Sequence, residues 1–359
     1  MKRTLSVSVD QLYRRQPGGI GTYVRGLVEG LASLDGQFDL VGVGPRGQVS
    51  EEVRSLPMRL VSVPVPLNVL TRVWPLMPLG VDRESLIVHA TSMTGPFAGG
   101  APDAVHSVAM HDLLWRDEPS MTTRHGSKFH EERLALIVRR DDLRVFTTSP
   151  DLADRLVNLG IAAERIHFAR LGVDDSSESG ASVEAVAALL EAHGVSGAYT
   201  MYAGTREPRK NIARLIEAHA EARRRRSELG PLVLVGPAGW GAVDTADAVV
   251  LGSVERSMVL GLYRDASVVA YVALAEGWGL PPVEALHAGA RVVASSTVPS
   301  VASNPHVIHV NPLDESSMAV GLLEALDLGT SDADRRDRRT SVADLTWHQA
   351  ALDHVAGWQ

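Results

Sequence analysis

Two carboxylates, Glu276 and Glu284, stand eight residues apart in the stretch AEGWGLPPVEALHAGAR, around a Gly-Trp-Gly turn and a double proline. The apolar run before them, Ser267 to Ala273 (SVVAYVA), reads as a buried parallel strand, and Pro281 and Pro282 suit the first turn of a following helix. A strand, a glycine loop and a helix start in that order present free backbone N–H groups and the positive end of the helix dipole together, which favours a phosphate or diphosphate. Glu284, placed in the first helical turn, and Glu276, at the carboxyl end of the strand, are then hydroxyl acceptors on either side of Gly277, Trp278, Gly279 and Leu280. A ligand with hydroxyls at both ends and phosphate between, such as a nucleotide sugar, has that layout. An ordinary helix start with a favourable acidic residue has the same letters, because such junctions recur throughout α/β folds.

Other chemistry-bearing residues also fall at strand ends. Arg206, Arg209 and Lys210 follow the run YTMYAG, and three positive charges there suit a diphosphate. Lys210 stands closest to the helix expected from Asn211, on the same sheet edge as Glu276; Arg209 reads equally well as solvated, and the whole cluster as a basic loop paired with Glu207. Gly18, Gly19 and Gly21, in PGGIGTY after the first strand, either let a ligand approach the backbone or permit tight strand-to-helix packing. Their spacing is not the G-x-G-x-x-G of a dinucleotide fold, which argues against an oxidoreductase. His111 ends the run HSVAMH, where it orients a hydroxyl or is satisfied by its neighbours. Asp332 and Asp334 form a D-x-D within a charge-rich helical stretch that reads as solvated, so no metal site is expected. No Ser-His-Asp arrangement or G-x-S-x-G elbow supports nucleophilic hydrolysis.

The elements that must position these residues fall into two series. Strand-like runs alternate with helices at Gly21 to Leu34, Lys128 to Asp141 and Asp151 to Leu159, closing with RIHFARLGV. After the small, polar connector DDSSESGA the rhythm restarts, with helices at Asn211 to Arg226 and Glu255 to Asp265. The 359 residues thus predict two doubly wound α/β domains facing a cleft, residues 1–173 and 174–344, and an apolar-faced tail, 345–359, that must dock somewhere. The absence of cysteine excludes disulfides and thiolate metal sites. A net charge of −8 disfavours nucleic-acid partners. No signal-like start or spanning apolar run is visible, so a cytoplasmic protein is expected. Leu67 to Gly80, apolar with Arg72 and Trp74, reads as a core or cleft-lining loop, or as a weak peripheral membrane contact.

In this order the segments Asp10 with PGGIGTYVRGL, His111-Asp112, TSPDLADRLVNLG with ERIHFARLGVD, YAGTREPRKN, LVLVGPAGWG and EGWGLPPVEALHAGARVVAS resemble the GT-B fold retaining glycosyltransferases of family four, in the bacterial mannosyltransferase-like branch. The resemblance spans almost the whole chain. It implies two Rossmann-like domains, the first binding mainly the acceptor and the second the sugar nucleotide, with the C-terminal helix crossing back to the first. It implies Glu276 at the donor sugar, Glu284 at the ribose, Gly277 to Leu280 at sugar and phosphate, Lys210 and Arg206 at the diphosphate, Gly18 and Gly19 approaching it from the first domain, and Val254 beside the base. His111 would serve the reacting sugar. The implied reaction is metal-independent, same-face transfer of a hexose, mannose from GDP-mannose by branch, to a hydroxyl of a glycan, a lipid-linked carrier or a small molecule. The chain departs from the family at Ser300, where a Glu commonly follows Pro299, at Thr205, where some relatives have Arg, and at Trp278, where Phe is commoner. The Ser300 change leaves room for a pseudo-glycosyltransferase using a nucleotide-activated cyclitol; a non-catalytic nucleotide-sugar binder has less need of Lys210, Glu276 and Glu284 together.

Overall fold

The computed structural model describes residues 2–119, 122–174, 180–239 and 243–359; most of the expected connector, together with Trp240 and Gly241, lies outside them. The chain forms two compact units, one of residues 1–172 with 345–359 and one of residues 173–344. Among the described residues, the first unit holds seven strands: β1 (Arg3–Ser8), β2 (Phe38–Pro45), β3 (Arg59–Val63), β4 (Ile87–Ala90), β5 (Val105–Met110), β6 (Leu143–Thr147) and β7 (Ile166–Phe168). They lie in the order β3-β2-β1-β4-β5-β6-β7, and neighbours are parallel. The second unit orders its six described strands β10-β9-β8-β11-β12-β13, with β8 at Thr200–Ala203, β9 at Leu232–Val235, β10 at Ala248–Gly252, β11 at Val268–Tyr271, β12 at Val292–Ser295 and β13 at Val307–Val310. Parallel strands connected through helices are covered on both faces, which is why runs such as LVLV and VVAY are buried at every position.

Each sheet reverses its order at one place, between β1 and β4 in the first and between β8 and β11 in the second. Loops leaving the carboxyl ends of two such strands part to opposite faces and open a crevice between them. The first crevice is flanked by the segments carrying Asp10 and Thr91, the second by those carrying Lys210 and Glu276.

Helix boundaries shift where glycine and proline act. The first helix runs Gly18–Ala32, beginning before the expected Gly21, with Pro17 at its N-cap. The apolar Leu67-to-Gly80 stretch contains a short helix, Leu67–Val73; Leu70 within it and Trp74 just after it are buried, while Val69, Leu76 and Met77 are exposed. Among the described residues no helix is long and apolar enough to cross a membrane.

The last helix, Trp347–Trp358, packs in the first unit against Gly18–Ala32. A Cβ at Gly26 would lie 2.0 Å from the Trp347 ring, and one at Gly30 2.1 Å from the Trp347 carbonyl oxygen, so two glycines one turn apart make the groove that receives it. A buried polar chain completes the docking. The His354 Nδ1 faces the Ala350 carbonyl at 2.7 Å, and a carbonyl only accepts, so that nitrogen carries the proton and Nε2 accepts from the Tyr23 hydroxyl at 2.8 Å. Tyr23 in turn accepts from His89 Nε2 at 2.8 Å, His89 Nδ1 accepts from Ser107 at 2.9 Å, and Ser107 accepts from the Trp358 indole at 2.9 Å. The chain runs one way only with both histidines neutral.

Burial holds both histidines down, His89 well below its ordinary 6.5 and His354 to about 4. As pH falls from 6.5 towards 4 the unfolded chain takes up protons that the folded one refuses, so stability is lost on acidification and flat above that window. For His354 alone the loss is on the order of 3 kcal/mol. Urea midpoints measured at about pH 7.5 and about pH 5 check this; equal midpoints would show that the network tolerates charge.

Candidate active site

The second crevice is built by two loops that grip each other. After β8 the chain makes a short 3-10 turn, Pro208–Lys210, and Asn211 adopts φ +61°, a left-handed conformation that Asn tolerates better than most residues. The Asn211 amide donates to the Val272 and Pro312 carbonyls at 3.1 and 2.7 Å, and Leu274 N–H donates to the Arg209 carbonyl at 2.8 Å. Lys210 and Glu276 are thereby brought together.

Three donors converge on a single oxygen of Glu276. Its Oε1 accepts from Arg209 Nη1 at 2.8 Å, from the Tyr271 hydroxyl at 2.9 Å and from the Lys210 ammonium, whereas Oε2 has no hydrogen-bond partner among the described residues. The ammonium also donates to the Tyr271 oxygen at 2.5 Å and lies 5.0 Å from the centre of its ring. Two of the three ammonium protons are thus engaged and one is left. Arg209 is not the solvated residue that its loop position suggested: it is largely buried between Glu276 and Glu207, the latter at 2.7 Å. Burial pushes the Glu276 carboxyl up, but Lys210 and Arg209 together outweigh it and hold the group below its usual range. Burial likewise draws the Lys210 ammonium down from its ordinary value, with Glu276 opposing. The buried pair is ionic and charge-balanced by Arg209 and Glu207.

Glu284 differs from its expected place. In the Leu280–His287 helix it falls in the second turn and is buried, so its partners are side chains and not the free N–H groups of the helix start. Oε1 accepts from Arg256 at 2.6 Å and Oε2 from the Tyr263 hydroxyl at 3.2 Å, while Arg256 Nε donates to Asp174 at 2.8 Å. The loop ahead of this helix depends on Gly279, at φ +93°, where a Cβ would lie 2.5 Å from a Val298 methyl. Ser300 braces the same loop: its N–H donates to the Trp278 carbonyl at 3.0 Å and its hydroxyl to the Gly279 carbonyl at 2.6 Å. Trp278 Nε1 is buried without a partner among the described residues, an unmet donor in that loop. At the other end of the helix, Arg338 and Arg339 donate to the Gly289 and Ala288 carbonyls at 3.0 and 3.3 Å, placing positive charge where the dipole is negative. These arginines belong to the stretch that read as solvated, yet Arg338 is buried; Asp334, by contrast, closes a capping box with Ser331 at the start of Asp332–Thr340.

The remaining second-unit candidates continue along the carboxyl edge of the sheet. Arg206 donates to the Gly236 carbonyl at 2.8 Å, joining the ends of β8 and β9, and half-buried Val254 follows β10. From β10 to β11 is three strand spacings, about 14 Å, comparable to an extended nucleotide sugar.

In the first unit the three early glycines differ in what requires them. A Cβ at Gly21 would lie 2.2 Å from Pro17 Cβ, so packing accounts for it; Gly18 takes φ +61°; Gly19 has ordinary φ and open space within 4 Å of its Cβ position. Neither packing nor backbone conformation requires glycine at 19. One turn further along, the Tyr23 ring meets His111 edge-on, with centroids 4.9 Å apart. His111, just past β5, places Nε2 2.8 Å from the Thr91 carbonyl, so Nε2 carries the proton and Nδ1 is left as an acceptor. Burial lowers the His111 pKa, which favours the neutral ring.

Arg256 and Tyr271 escaped the sequence reading. Arg256 opens the Arg256–Asp265 helix, where a cation opposes the dipole, and that local mismatch is the signal that it is paired elsewhere. Tyr271 is the one hydroxyl within the apolar run after Ser267.

Residues 18–172 match the family model described as Glycosyl transferase 4-like domain, and residues 198–328 the one described as Glycosyl transferases group 1. The O-antigen chain mannosyltransferase B of Escherichia coli is 31% identical over 145 residues, 36% of this chain and 36% of that protein. The chain spans about a third or less of the length of the curated relatives it matches. Among solved structures, sucrose-phosphate synthase from Thermosynechococcus elongatus superposes with a TM-score of 0.73 at 17% identity, over 99% of this chain and 98% of the other. Anabaena HepE in complex with UDP and glucose gives 0.70 at 14%, again over 99% and 98%. At these identities the likeness is one of fold: two Rossmann-like α/β units of the GT-B type.

Proposed function

We propose, from the premise that this is a GT-B fold glycosyltransferase with a glycosyl transferase 4-like domain at residues 18–172 and a glycosyl transferases group 1 domain at residues 198–328, that it moves a hexose from a sugar nucleotide to an acceptor hydroxyl. The observation that carries the reading is the pairing, at the switch point of the second sheet, of an ammonium with a donor to spare and a carboxylate with an oxygen to spare. In this reading Glu276 Oε2 accepts from a hydroxyl of the donor sugar, and Lys210, with Arg206 beside it, faces the diphosphate. Gly277 to Leu280 hold sugar and phosphate by their backbone, Glu284 takes the ribose, Val254 borders the base, and the glycines Gly18 and Gly19 approach the phosphates.

The bond from the sugar's anomeric carbon to the diphosphate breaks, a bond to the acceptor oxygen forms on the same face, and the acceptor's proton passes to the leaving phosphate oxygen. Negative charge therefore grows on that phosphate, and Lys210 with the Leu280–His287 helix start, its far end capped by two arginines, opposes it. His111, through Nδ1, orients a hydroxyl of the reacting sugar.

Relatives named as mannosyltransferases support mannose as the sugar moved; the reading takes GDP-mannose as the donor and a glycan, lipid-linked or small-molecule acceptor. A thermal-shift series with GDP-mannose, UDP-glucose, an ADP-sugar and a dTDP-sugar tests this. A ligand at about 100 times its dissociation constant adds about 2.7 kcal/mol, so the true donor is expected to give a clear rise in melting temperature. A panel without any rise would sink the donor-site reading, and a rise with UDP-glucose alone would overturn the mannose assignment.

A further inference from the structure

We infer that Tyr271 is a positioning residue of the donor site: its hydroxyl, bridging Lys210 and Glu276 Oε1, commits that oxygen to the protein and reserves Oε2 for the ligand. The inference rests on the donor-site reading above, and it concerns a residue that touches no ligand in that reading. A Phe in place of Tyr271 would fill the strand as well; the hydroxyl is what the strand's packing does not require.

The geometry constrains the hydroxyl completely. Lys210 has only protons to give, so the Tyr271 oxygen accepts from it at 2.5 Å, and the phenol proton is left for Glu276 Oε1 at 2.9 Å. The ring cannot turn away, because it is buried and stacked on Tyr202 at an interplanar angle of 8°. Charged and titratable groups around the hydroxyl are Glu276, Lys210 and Arg209, with Tyr202 on β8 and Glu207 beyond Arg209. Burial holds the phenol proton on, far above the ordinary range, so it stays a donor throughout the working range of pH. Removing the hydroxyl takes a donor from the Glu276 carboxylate and an acceptor from the Lys210 ammonium at once. Both ions then become less favourable: Glu276 takes a proton at higher pH, and Lys210 loses one at lower pH.

The test compares the 359-residue wild-type chain, Tyr271→Phe and Tyr202→Phe. The last is the control, because the Tyr202 hydroxyl donates to the Thr205 carbonyl at 3.1 Å and not to the ion pair. The pH profile of kcat/KM for donor turnover is expected to narrow from both sides in Tyr271→Phe, each limb moving inward by about one pH unit, the scale of one hydrogen bond to a charged group. Tyr202→Phe is expected to keep the wild-type profile. A purely structural role would lower activity without moving either limb, so a Tyr271→Phe profile that superimposes on wild type overturns the inference. Binding of GDP, UDP, ADP and dTDP to wild type, followed by calorimetry, separates the two levels: binding of any of them with an unmoved profile leaves the donor site standing and removes only the role of Tyr271. No binding of any of the four removes both.

Discussion

Glu276→Gln is expected to lower donor turnover about 100- to 1,000-fold, the cost typical of losing one group that stabilises a charged transition state. The amide retains an oxygen for Lys210, Arg209 and Tyr271, so the local shape survives while the carboxylate's charge is lost. Alanine is the wrong probe here. It leaves the Lys210 ammonium and the Arg209 guanidinium buried with only Glu207 to balance them, and breaking a buried pair in this way costs about 3–5 kcal/mol of stability. Steady-state turnover of Glu276→Gln, read beside the urea midpoints of both variants, distinguishes a lost charge from a weakened fold; wild-type turnover in the glutamine variant would mean that the carboxylate serves only the ion pair.

The second large effect is on stability. Trp347→Ala is expected to cost about 3–5 kcal/mol, as deletion of a buried aromatic ring generally does. The upper part of that range applies, because Gly26 beneath the ring has no side chain that could relax into the space. An unchanged urea midpoint would show that the last helix is not held by this residue.

How much of this was legible in the sequence depends on whether a residue's role is local. The strand ends, Lys210, the glycine loop and the two glutamates follow from strand and helix signals within a few residues of each, and the alternation of runs predicted two doubly wound units. Glu284 was misplaced by one turn because two prolines mark a helix start without saying which residue is its first; Gly279, with its left-handed backbone, sets that. Arg209 was misread because its second partner, Glu276, is 67 residues away. The same distance problem hid Arg256, whose carboxylates come from the unit's first residues and from the Leu280–His287 helix. Ser300 stood out only as a departure from a pattern; its bonds to the Trp278 and Gly279 carbonyls are tertiary and have no sequence signature.

The return of the last helix makes the second unit an insertion within the first. The chain leaves the first unit after Gly172 and re-enters it at Leu345, and a Cβ at Gly172 would lie 2.3 Å from the Trp347 backbone nitrogen, so exit and re-entry are neighbours. A block bounded by two adjacent joints can be lengthened, trimmed or exchanged without rethreading its host. Donor preference, if it resides in residues 173–344, is therefore portable as a single cassette, while the host keeps its own sheet, its last helix and whatever acceptor preference it carries.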